Sequence, residues 1–320
     1  MLEFLDLLKL FGGFVYLLMG GELLVRGALG LSKHSNIPPV VVGMTIVAMG
    51  TSAPELMVSI FSALSGYPGI AVGNVVGSNI CNVLLVLGVP VLIFPILTKQ
   101  EGLGKQTSLM VAVSLLLIVM CFLEPITFLD GLLLVFILVS FLVLTMRGAA
   151  IMPGLDDAEE EMEQTFGLPS YPSHIAILIV LGAVALPLGA NLVVEGGVGL
   201  ASSWGVSEAV IGLSLIALGT SLPELATTVI AALHKSSDVA IGNVVGSNLF
   251  NILAILGITA LLTDIPVDPQ FMRFDLWVMF AVTVMLWIYV LAKIRIGRIS
   301  GLVFLAGYFG YLYTIYQSVL

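Results

Sequence analysis

Glu55 and Glu224 each stand in a segment whose residue types could hold a metal cation. The first segment is Gly50-Thr51-Ser52-Ala53-Pro54-Glu55-Leu56, and the second is Gly219-Thr220-Ser221-Leu222-Pro223-Glu224-Leu225. Both are polar islands inside long apolar runs, where a charged side chain is costly and needs a functional reason. Pro54 cannot donate a hydrogen bond to the carbonyl of Gly50, and its ring opens that turn; Pro223 does the same to Gly219. The carbonyls of Gly50 and Thr51, and of Gly219 and Thr220, thereby lose normal helical partners. Lipid cannot satisfy a freed carbonyl, so these groups must face protein, water or an ion. Thr51 and Ser52 precede Glu55 by four and three residues, which predicts that all three share one helical face. A carboxylate, hydroxyls and bare carbonyls are hard oxygen ligands, suited to Na⁺ and Ca²⁺. No His or Cys set accompanies them for a softer metal.

A second segment complements each of these. Gly73 and Gly77, like Gly242 and Gly246, allow close helix approach. Ser78 and Asn82 are spaced i, i+4 on one face, and Ser247 and Asn251 repeat the spacing. Asn74, Asn79, Asn243 and Asn248 read as caps or bridges for the broken turns. Glu55 and Glu224 together give the site two negative charges, which one Ca²⁺ balances and three Na⁺ exceed by one. Empty, two bare carboxylates in a low-dielectric cavity would resist crossing between states, so exchange is favoured over leak.

Both segments belong to an internal repeat. Residues 43–82 align with 212–251 at a constant offset of 169, without a gap. The register extends to Gly20, Gly27 and Gly30, opposite Gly189, Gly196 and Gly199, and sets Glu22 and Arg26 opposite Asn191 and Glu195. The chain is 59% hydrophobic and 10% charged, far from the composition of a soluble domain. Its apolar runs predict an all-α polytopic membrane protein of about ten spans: 5–30, 38–65, 70–96, 106–123, 125–146, 173–200, 206–233, 238–263, 271–292 and 299–318. Residues 1–146 form one five-helix unit, 147–172 an acidic connector and 173–320 a second five-helix unit. An odd number of spans per unit inverts the second copy relative to the first. Inverted copies with interrupted helices at their meeting point are the plan of many secondary transporters, since exchanging the conformations of the two halves exchanges the open sides.

With the N-terminus outside, the inner loops and helix ends carry Arg26, Lys33, Lys99, Lys105, Arg147, Lys235, Lys293, Arg295 and Arg298, and the outer ones only Lys9 and Arg273. This asymmetry places both termini outside and the 147–172 loop in the cytoplasm. Residues 156–163 of that loop lack the glycine and ligand spacing of a Ca²⁺-binding EF-hand and read as a solvated connector. A net charge of −9 argues against nucleic acid. Cys81 and Cys121 sit in apolar runs and read as small buried hydrophobes. His34, His174 and His234 fall at loop positions and read as solvated. The start of the chain has no basic stretch or cleavage site of a removed signal peptide.

The paired Gly-Thr-Ser-x-Pro-Glu segments at 50–55 and 219–224, with the Gly-Asn-Val-Val-Gly-Ser-Asn segments at 73–79 and 242–248, resemble the α-repeats of the sodium/calcium exchanger family within the cation/calcium antiporter superfamily. The resemblance covers the whole chain and implies an electrogenic Na⁺/Ca²⁺ antiporter of the minimal prokaryotic type. It implies a Ca²⁺ position held by the carboxylates of Glu55 and Glu224 and the carbonyls of Thr51 and Thr220. For Na⁺ it implies the same glutamates, hydroxyls of Thr51, Ser52, Thr220, Ser221, Ser78 and Ser247, and carbonyls of Ala48 and Ala217. Asn82 and Asn251 would line the central position, and the first and sixth spans would slide as a gate. The resemblance further implies a cell-membrane protein whose partners are Na⁺, Ca²⁺ and lipid, with no resident cofactor and no obligatory protein partner. Some family members have aspartate where Asn251 stands, among them the K⁺-dependent branch, so Asn251 points to K⁺ independence. A H⁺/Ca²⁺ exchanger could use the same glutamates, but protons have no need of the hydroxyls. A cation channel is disfavoured by the single-chain inverted repeat, and an enzyme by the lack of a His, Cys or activated Ser constellation.

Overall fold

The computed structural model describes residues 2–123, 125–149, 168–204 and 217–319, and these are almost wholly helical. The order is α1 (Leu2–Ser35), α2 (Pro39–Thr51), α3 (Ala53–Leu64), α4 (Gly69–Ile93), α5 (Leu103–Leu123), α6 (Phe128–Ala149), α7 (Pro172–Ser203), α8 (Leu222–Leu233), α9 (Ser237–Leu262), α10 (Asp275–Leu291) and α11 (Arg298–Val319). A helix satisfies its own backbone, so apolar runs of this length take that form in a membrane. Seven of these helices are long and apolar enough to cross one, and α2 with α3 makes an eighth if the bent pair is a single span. The other two expected spans are shorter apolar helices, α8 and α10. The expected span at 206–233 runs back from α8 into residues outside the described set. Most of the acidic connector, including its 156–163 run, also lies outside it.

Two kinds of packing separate the chain into regions. Helices α4 and α9 form the centre: 78% and 89% of their apolar windows are buried, against 33% for α1 and 28% for α7. Within the centre Gly242 meets the Val40 carbonyl and Gly43 meets Val239, so α9 lies backbone to backbone on α2. The partners that the 169 offset assigns to Gly73 and Gly77 fall almost entirely in 205–216, outside the described residues.

The long helices α1 and α7 run antiparallel along one side. Gly13 lies against Gly189 and Val193, Gly20 against Leu186, and Gly27 against Ile179. A Cβ at Gly182 would stand 2.6 Å from the backbone nitrogen of Leu24, and one at Gly189 2.8 Å from that of Leu17. No side chain fits there, so glycine sets the spacing of the pair. The outward faces of α1 and α7 carry exposed Phe11, Phe14, Leu18, Ile177, Leu181 and Val184, a lipid-facing surface.

The breaks follow the prolines. The α2–α3 pair bends by 43° around Ser52, two residues before Pro54. Wider π-turns interrupt α4 at Asn82–Val86 and α9 at Asn251–Leu256, positions that correspond under the offset. Such turns loosen backbone hydrogen bonding and commonly lie at functional sites. Two isolated antiparallel bridges, Ile96 with Ile296 and Ile126 with Ile265, tie distant connectors together. The offset carries Ile96 to Ile265 and Ile126 to within one residue of Ile296.

One sequence expectation is corrected here. His234 is not solvated: it is 4% exposed, and its Nε2 lies 2.7 Å from Glu22 Oε2. The residue follows the last turn of α8, where α1 covers it. A chain position at a helix end does not reveal that cover. His34 and His174 are exposed, as expected, but stand in end turns of α1 and α7.

Candidate cation site

The site lies where α2–α3 and α8 meet α4 and α9. Glu55 and Glu224 stand in the first turns of α3 and α8, and they are 1% and 0% exposed. The segment that carries Glu55 reaches the other carboxylate directly, through Ser52 Oγ on Glu224. Among the described residues no Lys, Arg or His pairs with either. A buried ionised carboxylate without compensation is strongly unfavourable, so this arrangement demands mobile cations or protons.

Neutral oxygens surround the pair. Ser52 Oγ donates to Glu224 Oε1 at 3.0 Å. Thr51 Oγ1 is 3.2 Å from the Ala48 carbonyl, 3.2 Å from Asn243 Oδ1 and 3.5 Å from Ser247 Oγ. Glu55 Oε2, Glu224 Oε2, Asn82 Oδ1, Asn251 Oδ1 and Ser221 Oγ are all buried without a hydrogen-bond partner among the described residues. Five unpartnered oxygens in one core are unusual, because buried acceptors are nearly always satisfied. They are the donor chemistry a hard cation needs. No group of three His, Cys, Asp or Glu side chains occurs among the described residues, so a site built here rests on two carboxylates and neutral oxygens.

Asparagines hold this shell. Asn74 Nδ2 donates to the Glu55 carbonyl at 3.1 Å and to Ser59 Oγ at 3.0 Å. Asn243 Nδ2 repeats this with the Glu224 carbonyl at 3.5 Å and Thr228 Oγ1 at 3.1 Å. Asn82 Nδ2 donates to Asn248 Oδ1 at 3.1 Å, and Asn251 Nδ2 to Asn79 Oδ1 at 3.0 Å. With their amide nitrogens engaged, Asn82 and Asn251 present oxygen to the interior. Ser59 and Thr228 were not singled out from sequence. Their equivalence under the offset, one turn past each glutamate, was the available signal.

The remaining expected residues are placed as follows. Ser78 and Ser247 are buried on α4 and α9. Thr220 is partly exposed, unlike fully buried Thr51. The Ala48 carbonyl already accepts from the Ser52 backbone nitrogen at 2.9 Å and from the Thr51 hydroxyl. Ala217 opens a single helical turn, Ala217–Gly219. The one-face expectation for Thr51, Ser52 and Glu55 needs revision. The 43° bend at Ser52 turns its hydroxyl to the glutamate of the other repeat, because a continuous helical face no longer exists there. Ser221 makes no such bond among the described residues.

Buried paired carboxylates among uncharged oxygens, on broken helices of a membrane bundle, define a cation transporter and not an enzyme. The sodium/calcium exchanger protein family matches residues 6–147 and 174–317. The putative antiporter CaxA of Alkalimonas amylolytica is 38% identical over 309 residues, covering 96% of this chain and 97% of that one. The sodium/calcium exchanger MaX1 of Methanosarcina acetivorans is 30% identical over 343 residues, covering 95% and 96%. A solved structure of the sodium-calcium exchanger NCX_Mj superposes with a TM-score of 0.83 at 29% identity, covering 98% and 99%. The chain belongs to the sodium/calcium exchanger family. It is a membrane antiporter for Ca²⁺ and a second cation.

Proposed function

We propose that this protein exchanges Na⁺ for Ca²⁺ by alternating access, electrogenically and without K⁺. The observation that carries the reading is the pair Glu55 and Glu224, buried with no basic partner among the described residues and ringed by unpartnered oxygens. Ca²⁺ takes both carboxylates with the carbonyls of Thr51 and Thr220. Na⁺ shares the carboxylates and adds hydroxyls of Thr51, Ser52, Thr220, Ser221, Ser78 and Ser247, with the carbonyls of Ala48 and Ala217. Asn82 and Asn251 line the central position with neutral oxygen. Two negative charges neutralise one Ca²⁺, whereas three Na⁺ leave one positive charge, so exchange moves net charge. An unloaded site keeps two carboxylates in low dielectric, which opposes the crossing and couples the two fluxes.

The architecture that fits this cycle is ten spans in two inverted five-helix units, 1–146 and 173–320, both termini outside in the cell membrane and 147–172 cytoplasmic. The α1–α7 pair, glycine-spaced and resting on the centre through α8, is the mobile gate. A second reading is H⁺/Ca²⁺ exchange, favoured by the ability of two protons to neutralise the same carboxylates. Flux into proteoliposomes separates the two. Na⁺ coupling predicts Ca²⁺ uptake driven by an outward Na⁺ gradient and altered by membrane voltage. Uptake driven by a pH gradient alone, indifferent to Na⁺, would overturn it.

A further inference from the structure

Some polar contacts at the centre occur twice, once in each copy of the repeat. The contact between Glu22 on α1 and His234 at the end of α8 occurs once. His234 is 4% exposed and its Nε2 lies 2.7 Å from Glu22 Oε2. Beside them α1 rests directly on α8, with Gly21 against Ile230 and Ala226. The offset of 169 carries Glu22 to Asn191 and His234 to Ser65. In this conformer Asn191 and Ser65 are both exposed. An inverted repeat reaches its opposite state by exchanging the conformations of its halves, so in that state α7 lies on α3. The pair then brought together is Asn191 with Ser65, which carries no charge at any pH.

We propose that Glu22 and His234 form a pH-sensitive latch that holds only one of the two access states. An imidazole is the side chain whose ordinary titration falls between pH 5 and 8. Protonation of His234 turns a hydrogen bond to Glu22 into a charge-assisted one. Acid therefore strengthens the grip of α1 on α8 in the conformer described here and gives nothing to the opposite state. The conformational equilibrium shifts toward the latched state as pH falls, by the differential interaction alone. The proposal rests on the alternating-access reading and adds a control that acts away from the cation site.

The surrounding charges do not replace His234 in this role. Arg26 has its Nε 4.0 Å from Glu22 Oε1, and a guanidinium is not a pH switch. Lys235 follows His234 in the chain. Asp238, at the start of α9, accepts from Gln100 at 2.6 Å, with Lys99 next to that glutamine. Residues 175–186 of α7, opposite this part of α1, contain no ionisable group, and neither does α2. Lys33 and His34 stand in the last turn of α1, and His34 is exposed. His174 opens α7 and stacks edge-on to Tyr171.

Spin-label distances between exposed positions 18 on α1 and 233 on α8 test the latch in reconstituted full-length protein, with Cys81 and Cys121 replaced by alanine. The population at the present distance should grow roughly threefold from pH 8 to pH 5.5, the scale of a half-exposed ion pair. Glu22→Gln and His234→Gln should each flatten that response, while His34→Gln leaves it intact. Installing Asn191→Glu with Ser65→His in the His234→Gln background should reverse its direction. A response unchanged in both Glu22→Gln and His234→Gln would overturn the latch, as would a pH-invariant population in the parent. Na⁺-driven Ca²⁺ uptake in the same vesicles keeps the two ideas apart. Intact uptake with no pH response rejects the latch alone, whereas two pH-responsive populations without Na⁺-driven uptake reject the Na⁺ coupling.

Discussion

The two copies of the repeat have nearly the same residues but not the same contacts. Asn74 and Asn243 brace the glutamate carbonyls in the same way, and Asn82 with Asn248 mirrors Asn251 with Asn79. Ser52, by contrast, donates to Glu224, while Ser221 Oγ has no hydrogen-bond partner among the described residues. Thr51 is fully buried among Asn243 and Ser247, while Thr220 is partly exposed. Contacts present in both copies survive an exchange of the halves and form the frame. Contacts present in one copy must pass to the other, and these mark what moves. On the proposed alternating-access cycle, the difference between matching motifs is a record of which state the molecule occupies.

The largest effects should come from the residues that no exchange of halves can spare. Glu55→Gln or Glu224→Gln would remove a ligand charge that the proposed cycle needs in both states, and each should lower Ca²⁺ flux by roughly ten- to a hundredfold, given charge-assisted bonds of about 1.5–3 kcal/mol. A flux near the parent's in either variant would break the equivalence of the two glutamates. Next comes the gate seam. Gly189→Leu places a side chain against the backbone of Leu17, and should lower the thermal midpoint in detergent as an overpacking cost of about 1–3 kcal/mol. It should also slow exchange.

Frame contacts should show smaller, matched losses. Asn79→Ala and Asn248→Ala each remove a buried cross-link, and each should cost about 1 kcal/mol in the same assay. A large loss in one copy and none in the other would remove those asparagines from the frame. The smallest effect sharpens the comparison most. Ser52→Ala should shift the access equilibrium away from the present conformer, by up to about 1 kcal/mol for its one bond. Ser221→Ala should shift it toward that conformer. Spin-label distances across α1 and α8 read both, and shifts of the same sign would undo the assignment of moving contacts.

Much of this was legible in the sequence because the signals were local. The apolar runs gave the helices, the prolines gave the breaks, and the offset of 169 brought Glu55 and Glu224 into one problem. The structure supplied what depends on direction. Helical spacing aims Ser52 at Glu55, but the 43° bend aims it at Glu224. The family resemblance makes the carbonyl of Ala48 a Na⁺ ligand, yet two donors reach it. His234 reads as a loop residue until α1 is laid over it. Each miss is a contact between segments distant in the chain, which spacing along one helix cannot encode. Even there the offset held information, since Ser59 and Thr228 occupy matching positions and do matching work.

The central claim is that one Ca²⁺ and several Na⁺ compete for the same two buried carboxylates. Equilibrium binding of radioactive Ca²⁺ to the purified protein, titrated with Na⁺ at constant pH and ionic strength, tests it most directly. The account predicts saturation at one Ca²⁺ per chain, displacement by Na⁺ with a steep, cooperative curve, and loss of binding in both Glu55→Gln and Glu224→Gln. Ca²⁺ binding that persists in the double variant, or that Na⁺ cannot displace, would contradict it.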